Sequence, residues 1–273
     1  NSAMDFTFVD RHIEEYRTQG YTIFRRILPP SLVADLRRVC AKARDLARKN
    51  RGPQAQRLQP IADYPLDQQS FIDYVELPVL NDAIHRLFSP AYRIGGPRFL
   101  GVLFEPADLP WCTHWHRDWR DNVVGLNLAC WDRVFSDDRH LNQVNCALYD
   151  DVCTWVVPGS HLRRDLPREV ERFPDRPILG PDLEGKSYTE REWVCREYVE
   201  SMPGARQLHL ASGDFCLYRN SLWHLGNYVP YAQRATLHDA IDTDEFESWR
   251  AEVHRESQQR VEAGHGMENP NRP

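Results

Sequence analysis

His116-Arg117-Asp118, answered far along the chain by His224 and then Arg234, constrains this sequence more than any other feature. Two imidazoles and one carboxylate bind ferrous iron on one face and leave the opposite positions open. His116 and Asp118 differ by two residues, so on a strand their side chains leave the same face. The third ligand then has to come from a strand close in space and distant in sequence. Such a chain needs a sheet with long-range pairing. Arg234 opens a further run, Ala235 to Ile241, and a tight return there brings its guanidinium deep into the fold. A guanidinium suits a carboxylate ligand because its planar fork binds bidentately and stays charged.

The rest of the chain has the matching texture. Short apolar or alternating runs appear at Arg98–Phe104, Val123–Trp131, Asn145–Tyr149, Val152–Val157, Gln207–Leu210, Phe215–Tyr218 and Ala235–Ile241. Gly, Pro, Asp and Asn punctuate them, as in an antiparallel barrel or sandwich. Ahead of them the pattern predicts a short helix over 10–18, a strand at Tyr21–Phe24, a longer helix opened by Pro29-Pro30-Ser31, and helix from Gln69 to Phe88. The expected architecture is mainly β with added helices, one domain over 4–273. It divides into a helical N-terminal part (4–92), a barrel core (93–241) with a charged, Pro-rich insertion (162–204), and a C-terminal helix and tail (242–273). Asn1-Ser2-Ala3 before Met4 reads as an expression remnant.

Composition narrows the function. A net charge of −6 argues against a general nucleic-acid or membrane-surface binder. Locally, Arg25 to Arg57 holds ten Lys/Arg against two Asp, read as the solvated face of an amphipathic helix or as a landing strip for an anionic substrate. The seven cysteines are odd in number, scattered and free of C-x-x-C, which fits reduced thiols and a cytoplasmic setting. No secretory or membrane-length apolar run is evident. No Gly-x-Ser-x-Gly elbow or Gly-rich phosphate loop occurs, so hydrolase and nucleotide readings lack support.

At this point the chain resembles the phytanoyl-CoA dioxygenase family of iron(II)- and 2-oxoglutarate-dependent oxygenases. The matching segments are Gly20-Tyr-Thr-Ile-Phe24 leading to Leu28-Pro-Pro-Ser31, Trp115-His-Arg-Asp118, Val157-Pro-Gly-Ser-His161, and Ser212-Gly-Asp214 running to His224, Asn227 and Arg234. The resemblance implies a double-stranded β-helix of the jelly-roll or cupin-like kind. It implies His116, Asp118 and His224 as ligands of Fe(II), Arg234 as the anchor of the cosubstrate 2-oxoglutarate, and dioxygen as oxidant. The reaction class it implies oxidises a small molecule and releases succinate and carbon dioxide. Related halogenases replace the carboxylate with Gly or Ala, so Asp118 points to a hydroxylase. The sequence departs from the family pattern in two ways. The gap from the distal His to the Arg is one residue short. The Asn-Gly usual before Pro-Gly-Ser-His is replaced by Asp151-Val152, or displaced to Asn145-Cys146.

Some neighbours admit other readings. His114 with His116, and Asp121 downstream, can be read as a cupin-like metal site that needs no 2-oxo acid; otherwise His114 is pocket wall. A non-catalytic binding protein on the same scaffold is the remaining alternative. His161, in its turn, is expected to be structural. Trp111, Trp115, Trp119, Trp131, Trp155 and Trp223 are expected mostly in the core. Trp119, Arg117, Arg120 and Tyr218 are candidate substrate-pocket residues, with Arg219 and Asn220 as further cavity candidates.

Overall fold

The computed structural model describes residues 6–96 and 98–272; the reading of Asn1–Ala3 falls outside them. Helix α1 (Asp10–Gln19) ends at Gly20, whose φ of 85° is left-handed. A Cβ there would come within 2.7 Å of both His161 Nδ1 and Leu222 Cδ2, so only glycine lets this corner nest against the Pro-Gly-Ser-His turn. Strand β1 (Tyr21–Phe24) follows, then α2 (Pro30–Arg51), which starts on a proline suited to a first helical turn. After β2 (Arg57–Leu58) come α3 (Gln69–Val75) and α4 (Pro78–Leu87). The single helix expected from Gln69 to Phe88 is therefore broken. Pro78 forces Leu77 out of helical geometry, to ψ 115°.

The remaining elements are β3 (Arg93–Ile94), β4 (Gly101–Phe104), β5 (Trp111–Cys112), α5 (Leu128–Asp132), β6 (Asn142–Ala147), β7 (Thr154–Val156), α6 (Pro167–Arg172), α7 (Tyr188–Glu200), β8 (Arg206–Gln207), β9 (Phe215–Arg219), β10 (His224–Tyr228), β11 (Ala235–Asp242) and α8 (Asp244–Glu262). Among the described residues the strands form two antiparallel sheets. The larger runs β1-β9-β6-β11-β4-β2 with β3 added to β11; the smaller runs β5-β10-β7-β8. This is a jelly-roll arrangement whose sheets are not hydrogen-bonded into a closed barrel.

Register explains what the larger sheet does. Arg57 pairs with Leu103 and Leu103 with Thr236; His238 pairs with Asn145, and Gln143 with Tyr218. Paired residues share a face, so this face collects polar side chains and fronts a cavity toward the smaller sheet. Their sequence neighbours Val102, Val144, Cys146, Leu217 and Leu237 point the other way, into a core completed by α2, α3 and α4. One face is core and the other is site.

Two expectations fail here. Val123–Trp131 is not a strand: Asn127 caps α5 by accepting from Ala129 N–H, and Leu126, Cys130 and Trp131 pack on Phe246, Trp249 and Val253 of α8. A short apolar run is ambiguous between strand and buried helix, and this one was helix. The basic stretch is also not simply solvated. Arg44 and Arg48 both reach Glu105, Arg37 donates to Leu148 O, and Arg25 pairs with Asp214, so the arginines pin the N-terminal segment to the sheet. The insertion is ordered: Phe173, Ile178, Cys195, Tyr198 and Val199 pack with Trp115, Trp155 and Trp223 as a second core. Among the described residues no helix is long and apolar enough to cross a membrane.

Candidate metal centre

His224 opens β10, and a single antiparallel bridge joins it to His116, with backbone N–H···O distances of 3.1 and 2.9 Å. The expected strand through His116–Asp118 is absent. Instead the chain turns sharply after Asp118: Trp119 has φ 70°, and its N–H is accepted by Asn122 Oδ1 at 2.7 Å. That turn brings the carboxylate back beneath both imidazoles. Asp118 Oδ1 lies 3.2 Å from His116 Nε2 and Oδ2 lies 3.3 Å from His224 Nε2. One donor atom from each residue falls within 4.8 Å of the others.

The donor set suits a ferrous ion. His116 Nδ1 lies 2.7 Å from His114 O and His224 Nδ1 lies 2.7 Å from Leu222 O. A carbonyl only accepts, so each Nδ1 carries a proton, and the two Nε2 atoms, which face Asp118, are the ones left to ligate. Burial alone would push the Asp118 carboxyl up, but the imidazoles of His224 and His116 hold it well below the usual carboxylate range. Two amides fix its orientation: Asn122 Nδ2 donates to Oδ1 at 3.0 Å and Asn220 Nδ2 to Oδ2 at 2.8 Å. Three such donors on one side, with space opposite, is the facial arrangement that oxygen-activating iron requires.

That space is a polar cavity of about 280 Å³ lined by both sheets, including Gln143, Asn145, Thr154, Tyr218, Tyr228, Arg234 and His238. Arg234 is 4% exposed. Its Nε donates to Asp151 Oδ2 at 2.8 Å and its backbone N–H to Glu105 Oε2 at 2.8 Å, while Nη1 is buried with no partner. An unpartnered buried guanidinium nitrogen in the same cavity as the triad fits the distal carboxylate of a 2-oxo acid. The Asp151-Val152 departure thus has a structural meaning. Asp151 keeps Arg234 charged, raising its pKa against the effect of burial, and accepts from Thr236 Oγ1 at 2.5 Å as well.

The other candidates divide. Tyr218 and Asn220 line the cavity. Arg117 and Arg120 do not: both are buried in an ion network with Asp121, Asp165 and Arg176 behind the motif. Arg219 is buried against the Phe135 and Asp137 carbonyls. Trp119 packs on Trp249 and His254 of α8 rather than facing the cavity. These placements follow from the turn, which sends residues 119–121 away from the His116, Asp118 and His224 cluster. Asp121 is committed to Arg120 and Arg176, so the alternative set with His114 is not assembled. His161 Nε2 meets Arg17 O at 2.9 Å and ties the turn to α1.

Sequence reasoning missed Gln143, Thr154, Tyr228 and His238, whose only signal is alternation within strands whose pairing was unknown, and it met Asn145 only as a displaced Asn-Gly position. It also missed Arg57 as an individual. Arg57 lines the cavity from edge strand β2, bonds Gln59 Oε1 at 3.2 Å, and has no carboxylate partner among the described residues. Burial and then the Arg57 charge push His238 down to about 3, which keeps that imidazole neutral.

The comparisons with known proteins agree with this geometry. A family model described as phytanoyl-CoA dioxygenase (PhyH) matches residues 16–227. No curated protein matches the chain. Among solved structures, AviO1 from Streptomyces viridochromogenes is 14% identical with a TM-score of 0.55, covering 89% of this chain and 97% of its own. SnoK, a non-heme alpha-ketoglutarate-dependent carbocyclase from nogalamycin biosynthesis, is 18% identical with a TM-score of 0.52, covering 86% and 85%. EctD from S. alaskensis with bound Fe is 14% identical with a TM-score of 0.52, covering 89% and 79%. At these identities the likeness is one of fold.

Proposed function

Since the chain belongs to the phytanoyl-CoA dioxygenase family of iron(II)- and 2-oxoglutarate-dependent oxygenases, we propose that residues 4–273 act as one catalytic domain that hydroxylates a polar small molecule. Fe(II) is the cofactor, with 2-oxoglutarate and dioxygen as cosubstrates. One oxygen atom of dioxygen enters a C–H bond of the substrate; the other enters succinate as 2-oxoglutarate loses carbon dioxide. The observation that carries the reading is the joint presence of the triad and Arg234 in one cavity, with Nη1 of that guanidinium buried and unpartnered.

His116, Asp118 and His224 hold the metal, through two neutral imidazoles and one ionised carboxylate. Iron in that set supplies dioxygen activation, chemistry that no side chain here can provide. The chain's own residues bind, orient and exclude. Arg234 takes the distal carboxylate of 2-oxoglutarate, and Asp151 holds the guanidinium in place by its Nε edge. Arg57 adds a second positive charge on the cavity wall, so anionic ligands are favoured over neutral ones. Asn122 and Asn220 keep Asp118 oriented.

The test is anaerobic titration of metal-free protein with ferrous iron and then 2-oxoglutarate. A weak visible charge-transfer band that weakens in Arg234→Ala is expected. Iron binding with no band on adding 2-oxoglutarate refutes the cosubstrate, and failure to bind iron refutes the metal centre.

A further inference from the structure

A second cavity, of about 500 Å³ against about 280 Å³ for the metal cavity, has no part in the reading above. Alternation along β10 puts the two on opposite faces of the smaller sheet. Gly226 and Tyr228 line the metal cavity, whereas Asn227 between them lines the second one. Asn227 pairs with Cys112, which packs in one cluster with Cys195 and Val199 of α7. Helix α7 therefore covers the outer face of the sheet as far as its own flank. There Thr189, Glu192, Trp193 and Arg196 border the cavity, and the β10–β11 loop closes the other side. Arg234 is the wall that the two cavities share.

Two large aromatic rings are left open at this place. Trp193 is 70% exposed and Tyr231 is 69% exposed, where a packing role would bury them. The Tyr231 hydroxyl donates to Glu192 Oε1, which ties the loop to α7 and leaves the ring face uncovered. The uncommitted polar groups around these rings are mostly neutral. The side chains of Thr189, Asn227 and Gln233 have no partner among the described residues. Gln207 Nε2 donates to Val152 O at 2.9 Å, and its Oε1 is left over. The charged groups are engaged: Glu192 with Tyr231, Arg196 with Glu200, Asp151 with Arg234, and Asp150 with the Ser212 N–H. Asp150, Asp151 and Glu192 stand against Arg196 and Arg234, so an anion meets no excess of positive charge.

Aromatic faces interleaved with neutral donors and acceptors suit a ligand that combines C–H faces with a rim of hydroxyls. Its C–H bonds lie on the electron-rich face of an indole or phenol, and amides serve hydroxyls both as donors and as acceptors. We propose that this outer cavity is a second binding site, for a neutral sugar or a sugar-bearing molecule. Trp193 and Tyr231 are its stacking surfaces, and Asn227, Gln207 and Gln233 bond the hydroxyls.

The test is saturation-transfer NMR on the full chain, metal-free and Ni(II)-loaded. The probes are methyl glucoside, methyl galactoside, N-acetylglucosamine and maltose, with choline and inorganic phosphate as charged controls. Transfer to the ring protons of at least one sugar is expected in both forms, because the cavity lies on the face of the sheet away from the metal. Trp193→Ala should weaken that sugar's affinity about tenfold, the scale of one aromatic stack, and Asn227→Ala should weaken it as well. Circular dichroism and unchanged Ni(II) affinity check that both variants are folded. Transfer to no sugar overturns the proposal, as does sugar affinity unchanged in both variants. Transfer to choline or phosphate alone overturns the ligand class, and sugar binding that requires Ni(II) places the sugar in the metal cavity and overturns the site.

Discussion

Asp165→Asn is the substitution that most directly tests how the His-x-Asp motif is supported. Asp165 is buried, with its side chain 1% exposed, and it accepts from Arg117 Nε at 3.1 Å and Arg120 Nη1 at 2.9 Å. Arg176 completes the group from the insertion, bonding Asp121 at 3.1 Å. Neutralising Asp165 leaves Asp121 as the one carboxylate still bonded to Arg120 and Arg176, and leaves Arg117 with no side-chain ion pair, only the nearby charge of Glu169. Breaking a buried pair on one side costs ~3–5 kcal/mol; asparagine keeps an acceptor oxygen, so the low end, about 3 kcal/mol, applies. A second route gives a compatible size. Burial pushes the Asp165 carboxyl up, but Arg120 and Arg117 override it and hold it at about 2 against an ordinary 3.8. A depressed carboxylate contributes stability above its unfolded pKa and loses it as pH falls through the folded one. The window is therefore roughly pH 4 to 2, worth about 2 kcal/mol. Urea unfolding at pH 7 should show a lower midpoint at unchanged slope, and the variant should lose less stability than wild type on acidification through that window. A loss below ~1 kcal/mol, within the range of ordinary surface changes, together with an unchanged acid limb would refute the reasoning. Asn271→Ala, which removes one 3.0 Å bond to the same carboxylate from the C-terminal tail, is the mild control.

Other outcomes follow from the same geometry. His116→Ala, Asp118→Ala and His224→Ala should each lose tight iron binding while remaining folded, read by anaerobic iron titration beside circular dichroism. Arg234→Lys keeps a positive charge for Asp151 but loses the fork; 2-oxoglutarate affinity should drop about tenfold with stability largely kept, whereas Arg234→Ala should also destabilise by ~3–5 kcal/mol because Asp151 is left buried without a countercharge. Burial pushes His161 down to about 4 from an ordinary 6.5. Its neutral form is the one the fold accepts, so this contribution is complete above pH 6.5 and lost as pH falls toward 4, at most about 3 kcal/mol. His161→Gln should flatten that part of the pH–stability curve, and an unflattened curve would remove His161 as its source.

The ordered set His116, Asp118, His224 and Arg234 was legible because each residue type has few other reasons to recur in that order. The jelly roll was legible from short punctuated runs. What stayed hidden has physical causes. The argument that His116 and Asp118 share a strand face reached the right grouping by the wrong geometry: a left-handed Trp119 and an Asn122 cap, neither announced by a glycine, fold the carboxylate back. For the same reason Arg117, Trp119 and Arg120 looked like pocket residues. Adjacent in sequence to the ligands, they lie on the far side of a turn, where charge pairing and the face of α8 claim them.

The cavity wall was hidden more deeply, and its chemistry shows why. Gln143, Asn145 and His238 come from strands that touch only through pairing distant in sequence, and a shift of one residue would send each into the core. Amides and neutral imidazoles carry no signature of their own, since such residues are common on any solvated strand. They become a site because the opposite face of the same strands is committed to the helices, which fixes the register. The apolar residues Val144, Cys146 and Leu237 therefore determine where Gln143, Asn145 and His238 point. Val144→Asp should on this argument weaken ligand binding in the cavity without lining it, because it attacks the packing that holds Gln143 and Asn145 in their row.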